Sequence, residues 1–193
     1  MPDGPALAAP EYASLLALIR DVPDYPQPGV MFKDITPLLA DGPAFAATIE
    51  ALAKGYCASR RGATSLNPRD GIDKVAGIEA RGFILAAPVA CRLGVGFVPV
   101  RKVGKLPAPT HSQTYELEYG TATVEVKTDA FAPGDRVLLI DDVLATGGTA
   151  AATAALIRRC GAEVASLGVL LELGFLGGRA NLPDLDLRPL IIL

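Results

Sequence analysis

The strongest constraint this chain places on its own fold is an alternation of short apolar runs with longer helical stretches, repeated twice. Lys74–Ile78 ("KVAGI") is an apolar run, Gly82–Leu93 reads as a buried helix, and Val95–Arg101 is a second apolar run. The succession returns with Arg136–Ile140 ("RVLLI"), a helix over Ala150–Arg159 closed by Gly161 as its C′ residue, and Val164–Leu171. Strands that are apolar on both faces and separated by helices predict a mostly parallel sheet covered on both sides, because such strands cannot leave a face in water. The expectation is an α/β chain of 193 residues, a length suited to one domain over 1–193.

The flanking segments read differently. Residues 1–20 are expected to be a tail and a first helix, the helix covering Glu11–Asp21. Val22–Pro37 holds four prolines and is expected to be irregular, since each fixes its own φ and displaces the residue before it from helical geometry. Pro43–Ser59 is expected to be one long helix using Phe45, Ile49, Leu52 and Tyr56, and "NPRDGID" a surface turn. Two alternating runs flank Gly120 in "TYELEYGTATVEV", which predicts an antiparallel hairpin.

Several functional classes are set aside by composition. Half the residues are hydrophobic and 20% are charged, enough apolar material for a core. A net charge of −3 argues against nucleic acid or an anionic membrane as a partner. The most apolar stretch, Gly82–Val100, is interrupted by Pro88, Arg92, Gly94 and Gly96, so it is not read as a membrane span. No basic segment opens the N-terminus, so no secretory signal is expected. Cys57, Cys91 and Cys160 lack CxxC spacing and are read as free thiols in a reducing cytoplasm.

Chemistry concentrates in Val137–Thr149, "VLLIDDVLATGGT". Glycines that turn the main chain with positive φ let successive N–H groups converge, and a helix N-terminus adds unpaired donors and a partial positive charge. Ala145, Thr146, Gly147, Gly148 and Thr149 therefore fit an anion, although no Walker lysine or GxGxxG is present. A plain βα turn with Thr149 as N-cap fits the same residues. Asp141 and Asp142 tip the balance. Carboxylates at the C-terminal end of a parallel strand lie where open α/β sheets bind ligands, and they can accept from vicinal hydroxyls or help hold a divalent cation. A phosphate cradle beside a diol acceptor describes a 5-phosphoribosyl group.

This segment resembles the phosphoribosyl-pyrophosphate (PRPP) signature of type I phosphoribosyltransferases. "PDYPQPGVMFKDITPLL", "GIEARGF", "VRKVGKLPAPT", "YELEYG" and "LELGFLGGR" are similar, in that order, to the adenine-using branch of the family, over Asp21–Arg179. The resemblance implies the type I fold with a mobile hairpin hood over 103–127. It also implies transfer of a phosphoribosyl group from PRPP to adenine, giving AMP and pyrophosphate, with Mg²⁺ as cofactor and a homodimer as the assembly. By the same resemblance, Ala145–Thr149 hold the 5′-phosphate and Asp141 and Asp142 the ribose hydroxyls. Glu79, Ala80 and Arg81 receive pyrophosphate with Arg101 and Lys105, Lys102 being the weaker neighbour, and Glu79–Ala80 is expected to be a cis peptide. Met31, Phe32, Lys33 and Val143 hold adenine, although Phe32 as plain core is an open alternative. Tyr115 and Tyr119 belong to the hood. Glu118, which alternation alone makes a solvent-facing strand residue, handles the adenine proton. His111 receives no role. A phosphoribosyltransferase for another purine, or a PRPP-sensing regulator, is the alternative function.

Overall fold

The structure is a computed structural model that describes residues 12–56, 71–116 and 120–193. A short helix α1 (Ala13–Leu16) leads to strands β1 (Arg20–Pro23) and β2 (Met31–Asp34), then to helices α2 (Thr36–Ala40) and α3 (Gly42–Ala53). β3 (Lys74–Ile78), α4 (Arg81–Leu93) and β4 (Gly96–Lys102) follow, then the hairpin β5 (Thr110–Glu116) and β6 (Thr121–Lys127). β7 (Arg136–Leu144), α5 (Gly148–Arg159), β8 (Glu163–Glu172) and β9 (Leu187–Ile192) complete the order.

A seven-stranded sheet runs β5-β6-β4-β3-β7-β8-β9. Its strands from β4 to β9 pair in parallel, and the hairpin joins antiparallel at β4 through Arg101↔Glu125. Alternation along the strands fills both faces. Ala76, Ile78, Val137, Leu139, Leu167 and Val169 pack with Leu156 and Ile157 of α5. Val75, Leu138, Ile140 and Leu170 pack with Leu85 and Val89 of α4 and with Ile49 and Leu52 of α3. Each such side chain taken from water contributes about 1.5–3 kcal/mol. Close approach at Gly77 brings α4 onto the sheet: a Cβ there would stand 2.7 Å from the Ala86 Cβ. Among the described residues no helix is long and apolar enough to cross a membrane.

The two βαβ units lie where the sequence puts them, with β7 and α5 each somewhat longer. Other expectations need correction. Glu11–Asp21 is not one helix, because Arg20–Pro23 extends to pair with Met31–Asp34. Val22–Pro37 is accordingly not irregular throughout: Pro37 lies in the first turn of α2, and Arg20–Asp34 is a two-stranded hairpin with Pro26 and Pro28 in its turn, where a missing N–H removes no ladder bond. That turn is held by Asp24, whose carboxylate accepts from Gly29 N–H at 2.8 Å. The helix expected over Pro43–Ser59 ends at Ala53, where Lys54 turns extended and Gly55 takes a φ of 84°. Tyr56 therefore lies beyond the helix, and its hydroxyl meets Ser166 Oγ on β8. Residues 1–11, most of the expected tail, and Cys57 lie outside the described residues. β9 was not foreseen. It is an edge strand carrying Pro189, a residue that sheets tolerate only at edges.

Candidate active site

Register brings the site together. Ile78 pairs with Val100 and Gly77 with Ile140, so the turn after β3 lies level with Arg101 on one side and Asp141 on the other. A cavity of about 450 Å³ opens there, lined by Glu79, Ala80, Arg81, Lys102, Tyr115, Asp141, Asp142, Val143 and Thr149. A smaller hollow of about 90 Å³ adjoins it, lined by Asp141 and Val143–Ala150.

The two aspartates share a crowded corner. Asp141 Oδ1 accepts from the Asp142 N–H at 2.9 Å, and α4 presses so closely that a Cβ at Gly82 would meet the same oxygen at 2.8 Å. Burial, then the neighbouring Asp142 charge, push the Asp141 carboxyl well above its ordinary value. Burial also raises Asp142, while the Arg81 guanidinium pulls it the other way. Arg81 Nε lies 2.8 Å from Asp142 Oδ2, yet that oxygen has no aligned donor among the described residues. The contact is a charge pair rather than a well-directed hydrogen bond, which leaves Asp142 with acceptor capacity.

At the next turn, Gly147 adopts a φ of 83° and α5 begins at Gly148, so Gly147 rather than Thr149 occupies the N-cap position. Thr149 is thereby released, and its hydroxyl donates to the Tyr115 hydroxyl at 3.1 Å. The hairpin leans on α5 again where Arg159 donates to the Ser112 carbonyl and, at 3.3 Å, to the Gln113 side chain.

The β3–β4 side is a carboxylate-ordered cationic cluster. Glu79 accepts from Lys102 N–H at 2.8 Å and from Arg101 Nε at 3.3 Å. Burial acts to raise its carboxyl, but these donors outweigh burial and hold it below the ordinary value. Arg101 also donates to the Lys105 carbonyl at 3.1 Å. The Glu79–Ala80 peptide is cis, as the resemblance implies. Lys102 lines the main cavity, whereas Arg101 and Lys105 do not.

The β1–β2 hairpin reaches the site through Arg81, whose guanidinium carbon lies 4.8 Å from the Phe32 ring centroid and whose Nη1 is 3.5 Å from the Lys33 carbonyl. Tyr25 meets the edge of Phe32 at 5.1 Å, and Phe32 remains partly exposed, so it is not plain core. Because the Lys33 carbonyl faces Arg81, alternation along an antiparallel pair turns the main-chain groups of Met31 to the same side. The Lys33 ammonium instead pairs with Asp21 at 2.6 Å. Met31, Phe32 and Lys33 do not line the larger cavity; Val143 does. Glu118 and Tyr119 lie outside the described residues. His111 is exposed on β5 opposite Val126.

Sequence reasoning missed Glu125. It is 4% exposed and accepts from Lys105 N–H at 3.0 Å and Leu106 N–H at 2.9 Å, which shapes the loop at the base of the hairpin. Alternation in "TVEVK" could have flagged it only by asking which face of the hairpin was covered. Asn181 and Arg179 were given no role either; beyond the end of β8, Asn181 reaches the glycine turn at the Thr146 carbonyl, and Arg179 pairs with Glu172 on β8.

The geometry defines a phosphoribosyl-handling α/β protein, and comparison with known proteins agrees. The model of the phosphoribosyl transferase domain matches residues 39–179. An adenine phosphoribosyltransferase of Streptomyces clavuligerus is 66% identical over 168 residues, 87% of this chain and 88% of the relative. The crystal structure of adenine phosphoribosyltransferase from Thermoanaerobacter pseudethanolicus superposes with a TM-score of 0.83 at 49% identity, covering 93% of this chain and 98% of that one. The Saccharomyces cerevisiae enzyme, solved with an imino-altritol bisphosphate and adenine, gives a TM-score of 0.82 at 34% identity over 94% and 98% of the two chains. This chain belongs to the phosphoribosyl transferase family, and within it to the adenine phosphoribosyltransferases. It has the type I fold and is a pentosyltransferase of purine salvage.

Proposed function

We propose that adenine attacks PRPP in the cavity at the C-terminal ends of β4, β3 and β7, and that four segments divide the work. The reading is carried by one observation: an acidic pair, a guanidinium and a glycine-opened helix N-terminus line connected hollows. Ala145–Thr149 take the 5′-phosphate on main-chain N–H groups and the two threonine hydroxyls. Asp141 and Asp142 accept the ribose hydroxyls. Arg81, with Ala80 and Glu79, receives pyrophosphate, and Arg101, Lys102 and Lys105 add positive charge behind it. Met31, Lys33 and Val143 enclose the base, with Phe32 stacking on it. That the Saccharomyces cerevisiae relative was solved with both adenine and an imino-altritol bisphosphate supports a site that takes a base together with a phosphorylated ligand.

N9 of adenine bonds to the anomeric carbon while the bond to pyrophosphate breaks on the opposite face, and the adenine proton passes to Glu118. The protein's share is placement and charge neutralisation. Tyr115 and Tyr119 close the hairpin over the centre and keep water from an oxocarbenium-like carbon. Residues fit Mg²⁺ as well: Asp142 Oδ2 lacks an aligned donor, and carboxylate oxygens suit a hard cation. Pyrophosphate and water would supply most of its shell, with no dedicated protein cage, and Asp141 and Asp142 would help to hold it. Bound there, the ion offsets pyrophosphate charge as a Lewis acid. The whole chain acts as one domain, in the cytoplasm, as a homodimer; exposed Val103 and Phe175 offer apolar surface for a subunit contact.

Pyrophosphate release on mixing the protein with adenine, PRPP and Mg²⁺ is the direct test, and its absence would refute the reading. Hydrogen exchange at 106–116 should slow when PRPP and a non-reacting base analogue are both bound. Unchanged exchange would refute closure of the hood.

A further inference from the structure

The motif "LELGFLGGR" was singled out in the sequence but has no part in the chemistry above. In the structure it builds the outer wall of the phosphate turn. Leu144, the last residue of β7, pairs with Glu172, the last of β8, so the two chains leave the sheet side by side. Glu172 is 5% exposed, and Arg179 grips it with both ends of its guanidinium, Nε to Oε1 at 3.0 Å and Nη2 to Oε2 at 2.5 Å. A two-point pair fixes direction as well as distance. The pair closes over one tight turn, Gly174–Leu176, and lies within the next, Gly178–Asn181.

Those turns press on the glycine turn from behind. A Cβ at Gly147 would stand 2.5 Å from the Gly178 carbonyl oxygen, and one at Gly178 would collide with the Ala145 carbonyl. Each glycine is required by the main chain of the facing turn. Two bonds then tie down the outward carbonyls: Leu173 N–H donates to the Leu144 carbonyl at 2.9 Å, and the Asn181 amide donates to the Thr146 carbonyl at 2.7 Å. In a planar trans peptide the C=O and the following N–H point in opposite directions. Holding the Thr146 carbonyl towards Asn181 therefore aims the Gly147 N–H away from Asn181, to the side where the 5′-phosphate would lie.

We propose that Asn181, set in place by the Arg179–Glu172 pair, is a positioning residue that aims the phosphate-binding N–H groups of the Ala145–Thr149 turn. This rests on the reading of that turn as the 5′-phosphate site. Asn181 is exposed, and its substitution leaves the core intact.

The test compares Asn181→Ala and the isosteric Asn181→Asp, which puts an acceptor against the Thr146 carbonyl. The loss of one hydrogen bond predicts a KM for PRPP raised about three- to tenfold in the alanine variant and more in the aspartate variant. KM for adenine should stay within twofold of native, and ribose 5-phosphate binding measured by calorimetry should weaken in parallel. Arg179→Ala should reproduce the PRPP effect, with partial recovery in Arg179→Lys. An unchanged KM for PRPP in both Asn181 variants, or equal rises for both substrates, would overturn the proposal. Native protein that binds neither ribose 5-phosphate nor PRPP would instead refute the phosphate-site reading itself.

Discussion

Asp141→Asn should melt at a higher temperature than the native protein at pH 7, while its kcat/KM for PRPP falls about 100-fold or more. Both effects come from one carboxyl whose burial, with Asp142 beside it, lifts it well above its ordinary value of 3.8. Between 3.8 and that raised value, the unfolded chain has released a proton that the folded chain still holds. The native state then binds more protons than the unfolded state, so stability falls as pH rises across this window, by about 1.4 kcal/mol per pH unit at most. Asparagine is neutral throughout and keeps an oxygen to accept from the Asp142 N–H, so it escapes the loss. The gap in melting temperature should therefore close on acidification below the ordinary carboxyl range. A variant less stable than native at pH 7, or a gap that does not narrow in acid, would count against the shift. Activity falls because an amide cannot ionise, whereas the carboxyl can give up its proton when a cation or hydroxyl donors bind beside it.

Base choice should be equally sharp. Adenine carries an amino donor at C6 where hypoxanthine carries a carbonyl. Main-chain groups of Met31 and Lys33, on the open edge of β2, can accept from that amino group and donate to N1. Hypoxanthine would set acceptor against acceptor and its protonated N1 against a donor. Two mispaired groups at about 1–3 kcal/mol each give a preference of roughly thirtyfold to twenty-thousandfold. Lys33→Ala removes the 2.6 Å pair with Asp21 but leaves the main chain in place. It should weaken adenine binding and keep the preference. Equal kcat/KM for the two bases in the native protein would refute main-chain reading of adenine; loss of preference only in Lys33→Ala would transfer the reading to the side chain.

How far the sequence could be read depended on the range of the forces involved. β3, α4, β7 and α5 were legible because each is specified by its own period and ends at a turn residue. The acidic pair and the glycine turn were legible because they are contiguous and have few chemical uses. Arg20 and Asp21 were read as the end of a helix and Val22 and Pro23 as irregular, because their only reason to be a strand is a partner eight to fourteen residues away, and the intervening prolines pointed to an irregular path rather than to a turn. Glu125 and Asn181 share a different obstacle. One is a carboxylate and the other an amide, both common on surfaces, and their importance comes from partners twenty and thirty-five residues distant. Nothing local distinguishes them.

The β1–β2 hairpin is a sheet of its own, and among the described residues no ladder joins it to the seven-stranded sheet. On the proposed division of the site, base and phosphoribosyl group would be met by separately hydrogen-bonded pieces of chain, which touch at Arg81 through a ring contact and the Lys33 carbonyl. The transfer machinery can stay constant while its address label changes: a different hairpin spliced over 20–34 could direct the same chemistry to another nucleobase without disturbing a strand of the main sheet. A chimera that kept its PRPP affinity while exchanging its base preference would display that independence, and one that lost both together would show the label to be part of the engine.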